Sequence, residues 1–126
     1  MAEETIDEGT PGLDALRWQI ANRRWREELR GVVYRERRWA GDSESRQSVI
    51  ETISAAEAYE ATNGDGSFST TWKCADGWLD DVTLADLREV RQLLADRRQA
   101  CFQVERDKVA DAEAGNAVEL GSGWPA

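Results

Sequence analysis

The fold is decided by the stretch Phe68-Ser69-Thr70-Thr71-Trp72-Lys73-Cys74-Ala75-Asp76-Gly77-Trp78-Leu79-Asp80-Asp81-Val82. From Phe68 to Cys74 every second residue is aromatic, β-branched or cysteine, which predicts a strand with two unlike faces. Asp76-Gly77 is a favoured two-residue hairpin turn, so the sequence predicts a β-hairpin over residues 67–82. An isolated hairpin is marginal in water, and this one must therefore pack on a helix or pair with a strand of another subunit.

A long first helix is predicted before the hairpin, over residues 13–39. This segment contains no proline, and four of its apolar residues recur every seven positions: Trp18, Trp25, Val32 and Trp39. A seven-residue repeat is typical of a helix that packs along another helix, either within the chain or across a subunit boundary.

Two further helices are predicted on either side of the hairpin. The second helix covers residues 45–61 and ends before the turn sequence Asn63-Gly64-Asp65-Gly66. The third covers residues 84–112, with Thr83 as its N-cap and Asp86 at the third helical position, as in a capping box. The predicted fold class is α+β and helix-dominated, with three helices and one β-hairpin between the second and third.

The chain of 126 residues is predicted to form a single domain between two irregular ends. Residues 1–12 carry four acidic residues and end in a Thr-Pro-Gly breaker, which predicts an acidic flexible arm. The domain covers residues 13–112, and residues 113–126 form an irregular C-terminal tail. Trp124 in this tail has two open interpretations, because it can fold back onto the domain or dock on a partner.

The apolar positions divide into a predicted core and a predicted interface. The core combines the second helix, the first strand and the third helix: Val49, Ile53, Phe68, Trp72, Leu87, Val90, Leu94 and Cys101. The interface combines the seam of the first helix with the tail: Trp18, Trp25, Leu29, Val32, Trp39 and Trp124. Large aromatic residues of this kind dominate the energy of protein interfaces.

The composition argues against an active site. The chain has no histidine, so it lacks the commonest general base and the commonest metal ligand. Its two cysteines, Cys74 and Cys101, are predicted to be reduced thiols, although a disulfide between them stays open. The sequence has no glycine-rich phosphate loop and no carboxylate pair suited to acid–base catalysis. We therefore expect a protein that is not an enzyme and that binds no cofactor and no metal.

Charge and hydropathy limit the classes of partner. The net charge of −9 disfavours general binding to nucleic acid, because phosphate contacts need a positive surface. Residues 14–38 nevertheless carry eight arginines interleaved with tryptophans, a pattern that can bind single strands by stacking and charge. The seven-residue spacing favours burial in a helix interface instead, and a solvated helix face with internal ion pairs is a further interpretation. With no signal peptide and no membrane-length apolar stretch, a soluble protein of a reducing compartment is expected.

An ordered set of short motifs, between about residues 34 and 109, resembles a family of domains of unknown function. Members of this family are common at the C-terminal ends of bacteriophage tail and tail-fibre-associated proteins. The motifs are Ser45-Arg46, Val49-Ile50, Phe68-Ser69-Thr70-Thr71-Trp72-Lys73, Ala75-Asp76-Gly77, Val82-Thr83-Leu84, Ala100-Cys101-Phe102 and Glu105-Arg106. Members usually carry an additional hairpin-like stretch before the serine-arginine position, for which only Ala40 to Glu44 remain here. The arginine-tryptophan helix lies outside the resemblance.

The resemblance implies a role in the virion or its assembly and supplies no catalytic residues. We therefore expect a structural component of a tailed bacteriophage virion, associated with the tail or tail fibre. Its expected location is the virion tail, and the host cytoplasm during assembly. Its expected partners are other phage tail or fibre proteins and further copies of itself, with no membrane contact and no nucleic acid. The alternative is a tail-fibre assembly chaperone that is absent from the finished virion, and a small nucleic-acid or regulatory binder is a third hypothesis.

Overall fold

The computed structural model describes residues 12–126, so nearly all of the arm predicted over residues 1–12 lies outside the described residues. The described elements, in chain order, are α1 (Leu13–Leu29), β1 (Val32–Tyr34), β2 (Arg37–Trp39), α2 (Ser43–Asn63), β3 (Ser69–Cys74), β4 (Gly77–Thr83) and α3 (Leu84–Glu113). The three helices and the α+β mixture agree with the sequence prediction. The prediction of one hairpin is wrong, because β1 and β2 form another between α1 and α2.

The predicted helix over residues 13–39 is wrong in its second half, since α1 ends at Leu29. Gly31 follows with φ +66, and a Cβ at this position would lie 1.8 Å from the carbonyl oxygen of Trp39. In the hairpin, Val32 pairs directly with Trp39 in an antiparallel register. A spacing of seven therefore places these two residues opposite each other on a short hairpin, just as it would place them on one face of a helix. A hairpin therefore lies between α1 and the Ser45-Arg46 position, where only Ala40 to Glu44 were expected from the sequence.

The turn between β1 and β2 explains why the sequence did not reveal this hairpin. Arg35 and Glu36 have φ values of 51 and 64, the left-handed pair of conformations of a two-residue hairpin turn. Glycine and asparagine usually occupy these positions, because a Cβ is disfavoured there. Arg35 is held by its guanidinium, which donates to the carboxylate of Asp86 at 2.9 Å and to the carbonyl oxygen of Asp81 at 3.1 Å.

The described chain divides into two compact units. The hairpin unit is Glu28–Gln99. The helical-pair unit contains α1 as far as Glu27, together with Ala100–Ala126. Within the described residues, no helix is both long enough and apolar enough to span a bilayer.

The hairpin unit contains an apolar core between its hairpins and helices. The buried core residues are Trp39, Val49, Ile53, Ala56, Cys74, Val82, Leu84, Leu87, Val90 and Leu94, against which Val32, Tyr34, Phe68, Trp72 and Leu79 are partly buried. Five of the predicted core residues, Val49, Ile53, Leu87, Val90 and Leu94, lie in this core, and Phe68 and Trp72 lie at its edge. The predicted core residue Cys101 is buried in the helical-pair unit instead. The rings of Trp39 and Trp72 stack with centroids 5.6 Å apart, so each hairpin contributes one tryptophan to the same contact.

The predicted hairpin over residues 67–82 is present as β3 and β4, but its turn is Ala75-Asp76, one residue before the predicted Asp76-Gly77, and β4 contains a bulge. Thr70 pairs with Val82 and Trp72 with Leu79, so one residue more lies on β4 than on β3 between these pairs. The extra residue of β4 is accommodated at Asp81, which has a φ of 54. Because of this bulge both Leu79 and Val82 turn toward the core, whereas Trp78 turns outward.

Each of the two later helices begins at a capped end. The carboxylate of Asp42 accepts the backbone N–H of Ser45 at 3.1 Å, which caps α2. At α3, Thr83 N–H donates to Asp86 Oδ2 at 2.9 Å and Asp86 N–H donates to Thr83 Oγ1 at 3.2 Å. This reciprocal pair is the capping box that the sequence predicts.

The helical-pair unit is held by a small core and by ion pairs. Ile20 of α1 and Cys101 of α3 are fully buried. Arg24 pairs with Glu105 at 2.8 Å and Arg17 pairs with Glu113 at 2.7 Å, an order that makes the two helices antiparallel within this unit.

Candidate interaction surface

The most exposed large side chains of the helical-pair unit lie on α1. Trp18 is 67% exposed and Trp25 is 54% exposed. They are seven residues apart, which is two helical turns, so both indoles lie on the same face. Two exposed tryptophans on one helix face form an apolar patch of the kind that marks a contact with another molecule.

Helix geometry explains why this face is exposed. The side of α1 that contacts α3 within the unit carries Arg17, Ile20 and Arg24. At about 100° per residue, Trp18 and Trp25 lie roughly 120° around the helix from the centre of that side.

The residues beside the tryptophans on this face are smaller. Ala15 lies one turn before Trp18 and is exposed, and Asn22 lies one turn after Trp18 and is half-buried. A methyl group and a short amide do not reach as far from the helix axis as an indole. The two tryptophans therefore project beyond Ala15 and Asn22.

The structure separates the six residues that the sequence predicts as interface. Trp18 and Trp25 are exposed, and Leu29 is half-buried at the end of α1. Trp39 is 2% exposed, so its prediction as an interface residue is wrong. Val32 is partly buried against the same core, in the hairpin that the sequence did not predict, and its role at an interface stays a prediction.

Trp124 folds back within the helical-pair unit. Its Nε1 donates to the carbonyl oxygen of Leu120 at 2.7 Å, and the ammonium of Lys108 lies 5.6 Å from its ring centroid. Lys108 also donates to the carbonyl oxygen of Glu119. The tail is thus bound to α3 by a local loop and a cation–π contact, and Trp124 is half-buried. Of the two interpretations left open by the sequence, the structure shows the first.

Sequence reasoning missed a third exposed tryptophan, Trp78 in the hairpin unit. It is 62% exposed and lies across from Lys73, whose ammonium is 5.9 Å from the ring centroid. Strict alternation groups Trp78 with the buried Val82, and the bulge at Asp81 breaks that alternation. The available signal was the tight turn between the strands, because a two-residue turn at this point places Trp78 on the same face as Lys73, with which it pairs.

The hairpin unit also contains a cavity of about 510 Å³. Its lining includes Trp39, Trp72, Ser45, Ser48 and Cys74. Burial, and to a smaller degree the charge of Asp76, raises the pKa of the Cys74 thiol. A raised pKa disfavours the thiolate, so this cysteine is the opposite of an activated nucleophile. Neither Cys74 nor Cys101 forms a disulfide, and no group of metal-ligating side chains occurs among the described residues.

Comparison with known proteins gives one finding. The family described as a domain of unknown function (DUF4376) matches residues 13–121. This range is wider than the resemblance over about residues 34–109, and it includes α1, so the exclusion of the arginine-tryptophan helix is corrected. No curated protein and no solved structure matches the chain at a significant level.

Proposed function

We propose that this chain, which belongs to the DUF4376 family, is a structural component of a tailed bacteriophage virion. In this proposal it is associated with the tail or tail fibre and holds neighbouring subunits together. It reaches the particle from the host cytoplasm, where the tail is assembled. The link to phage tails comes from the motif resemblance described above, and the contact surface comes from the structure.

The observation that carries an interaction role is the exposed pair Trp18 and Trp25 on α1. Tryptophan is enriched among the residues whose truncation costs most at protein interfaces. Both residues lie on regular helix, and their smaller neighbours Ala15 and Asn22 leave the indoles accessible to a partner surface. The acidic composition agrees with a protein partner more than with a nucleic acid.

The direct test is mass spectrometry of purified particles of the phage that encodes the chain. A virion component is present in a fixed ratio to a known tail protein, and it stays bound after density-gradient purification. Absence from the particle, with the chain found only in infected-cell extract bound to fibre protein, would support the assembly chaperone instead. Recovery with neither particles nor fibre protein would refute both roles.

A second test connects the role to the surface. Trp18→Glu and Trp25→Glu place charges on exposed positions, so the fold is expected to survive while incorporation into particles falls at least tenfold. Trp78→Glu is the matched control, because Trp78 is equally exposed but lies in the hairpin unit. Equal incorporation of all three variants would place the contact elsewhere.

A further inference from the structure

We propose that Ala15, Trp18, Asn22 and Trp25 form a self-complementary seam through which two copies of this chain pair their α1 helices in antiparallel orientation. The inference rests on the proposed function, because it names the partner of the same surface. Its argument uses the spacing, the sizes, the polarity and the exposure of these four side chains.

The spacing is that of a helix–helix seam. The four residues are separated by three, four and three positions, which is the a/d pattern of two-helix packing. On α1 they cover a stripe about 80° wide. Ala15, Trp18 and Trp25 are exposed among the described residues, and Asn22 is half-buried. All four lie in the helical-pair unit.

The sizes of the side chains alternate in a way that fits a two-fold axis. If the axis is level with residue 20, Trp18 faces the partner subunit's Asn22, and Trp25 faces the partner subunit's Ala15. Each layer then contains one indole and one smaller side chain, so the space between the helices is filled evenly. A symmetric contact of this kind, in which one patch binds its own copy, is the commonest arrangement in homo-oligomers.

The alternation also decides the direction of the pair. In a parallel pair each residue would face its own copy, giving layers of two tryptophans between layers of two alanines or two asparagines. The tryptophan layers would hold the helices apart and leave voids at the smaller residues, and both defects are destabilising. Antiparallel packing avoids them, which is why a second copy in that orientation is the occupant that the seam fits.

Asn22 gives the seam its one polar position. Among the described residues, neither the Asn22 amide nor the indole N–H of Trp18 has a side-chain hydrogen bond. In the antiparallel pair the indole N–H of each Trp18 faces the partner subunit's Asn22, whose amide oxygen can accept it. A single asparagine at a seam position fixes the register of a helix pair at some cost in stability. Asn22 therefore favours the register centred on residue 20, while the tryptophans set the direction.

The exposed area sets the expected strength. The two indoles expose on the order of 300 Å² per copy, whereas a standard stable interface buries about 800 Å² per partner. The pair is therefore expected to be weak and reversible. Light scattering after size exclusion should be run over a concentration series from about 5 to 200 μM.

The test uses the full chain and three variants. The average molar mass of the wild-type protein is expected to rise with concentration from 14.1 kDa toward twice that value. Trp18→Asn leaves two asparagine–asparagine layers and Asn22→Trp forces two indole–indole layers, so each alone is expected to stay monomeric. Mixed in equal amounts they regain one indole and one smaller side chain per layer, and a heterodimer is expected. Trp78→Ala, which removes an equally exposed indole outside the seam, is expected to dimerise like wild type.

Each other outcome counts against the inference. Wild type that stays monomeric up to about 200 μM overturns it, as does a Trp18→Asn variant that still dimerises. Dimerisation of Asn22→Trp alone overturns the antiparallel orientation, because only a parallel pair already contains facing indoles. Failure of the two variants to form a heterodimer overturns the register centred on residue 20.

The chain's own N-terminal segment provides one further control. If deletion of residues 2–11 converts a monomeric wild type into a dimer, that segment covers the seam and the inference fails in the intact protein. Circular dichroism confirms that every variant is folded.

The inference and the proposed function fail in different ways. A monomeric Trp18→Asn chain that enters particles at the wild-type ratio refutes the dimer seam and leaves the virion role standing. A dimer of the predicted behaviour that is missing from particles refutes the virion role and leaves the seam standing.

Discussion

The hydroxyl of Tyr34 donates a hydrogen bond of 2.7 Å to the Asp86 carboxylate, which joins the end of β1 to the first turn of α3. The two residues are 52 positions apart in the chain. Asp86 is at the same time the third residue of the α3 capping box and the ion-pair partner of Arg35. One carboxylate therefore fixes the tip of the first hairpin, the end of the second and the start of α3.

Removal of the Tyr34 hydroxyl is expected to destabilise the hairpin unit. Tyr34→Phe should lower the free energy of unfolding by about 1.5–3 kcal/mol, the usual contribution of a hydrogen bond to a charged acceptor. Urea denaturation followed by circular dichroism measures this change. Tyr59→Phe is the matched control, because Tyr59 is 48% exposed, and its expected loss is below about 0.5 kcal/mol. Equal losses for the two variants would show that the bond to Asp86 contributes nothing to stability.

The pKa of Asp86 predicts a loss of stability in acid. Burial raises this pKa, but hydrogen bonds from Thr83 and Tyr34 and the charge of Arg35 together hold it below the ordinary value of 3.8. The unfolded chain therefore binds more protons near that pH than the folded chain does. The ionised Asp86 carboxylate therefore stabilises the fold fully above its ordinary pKa. This stabilisation is lost as the pH falls through the lower pKa that Asp86 has in the folded state.

The direction of this pH dependence is measurable by urea denaturation at intervals between about pH 6 and pH 2.5. The free energy of unfolding should fall with decreasing pH once the pH is below about 4. Asp86→Asn should be less stable at about pH 6 and should show a shallower decline below about pH 4. A variant whose decline matches wild type would assign the acid sensitivity to other carboxylates, among them Asp42, whose pKa is lowered by hydrogen bonds from Ser45.

Two glycines with similar backbone conformations provide a steric test of the first hairpin. Gly31 and Gly66 have φ values of +66 and +78, but only a Cβ at Gly31 meets other atoms, with the Trp39 carbonyl oxygen 1.8 Å away. Gly66→Ala should cost about 1 kcal/mol for the left-handed conformation alone. Gly31→Ala should cost about 3 kcal/mol, because the clash with backbone adds to that strain. Thermal unfolding of both variants tests the difference, and equal costs would mean that α1 does not end against β2 as described.

The second hairpin was predictable from sequence because its local signals agree with its structure. Asp76-Gly77 indicates a turn within one residue of the observed Ala75-Asp76, and the alternation before it marks the strand. The first hairpin was not predictable, because Arg35 and Glu36 carry no turn signal and the seven-residue spacing imitates a helix. Its conformation depends on contacts distant in sequence, above all those of Arg35 with Asp81 and Asp86.

The candidate surface was predictable only in part, for a related reason. Spacing alone treats Trp18, Trp25 and Trp39 alike, since all three recur at intervals of seven or fourteen residues. Whether an apolar residue on such a repeat is buried depends on what packs against it, and that is a property of the tertiary structure. Trp39 stacks on Trp72 in the core, whereas nothing within the described residues covers most of Trp18 or Trp25.

A glycine in the turn between β1 and β2 is expected to stabilise the protein. Glu36 has φ 64, a conformation that costs a residue with a Cβ about 1 kcal/mol or more and costs glycine almost nothing. Glycine loses more entropy on folding, which offsets part of the gain. Glu36→Gly is therefore expected to raise the free energy of unfolding by about 0.5 kcal/mol. Chemical denaturation at neutral pH measures this gain in the free energy of unfolding. Glu36→Ala, which removes the same carboxylate and keeps the Cβ, should give no such gain, and a similar gain from alanine would attribute the effect to charge.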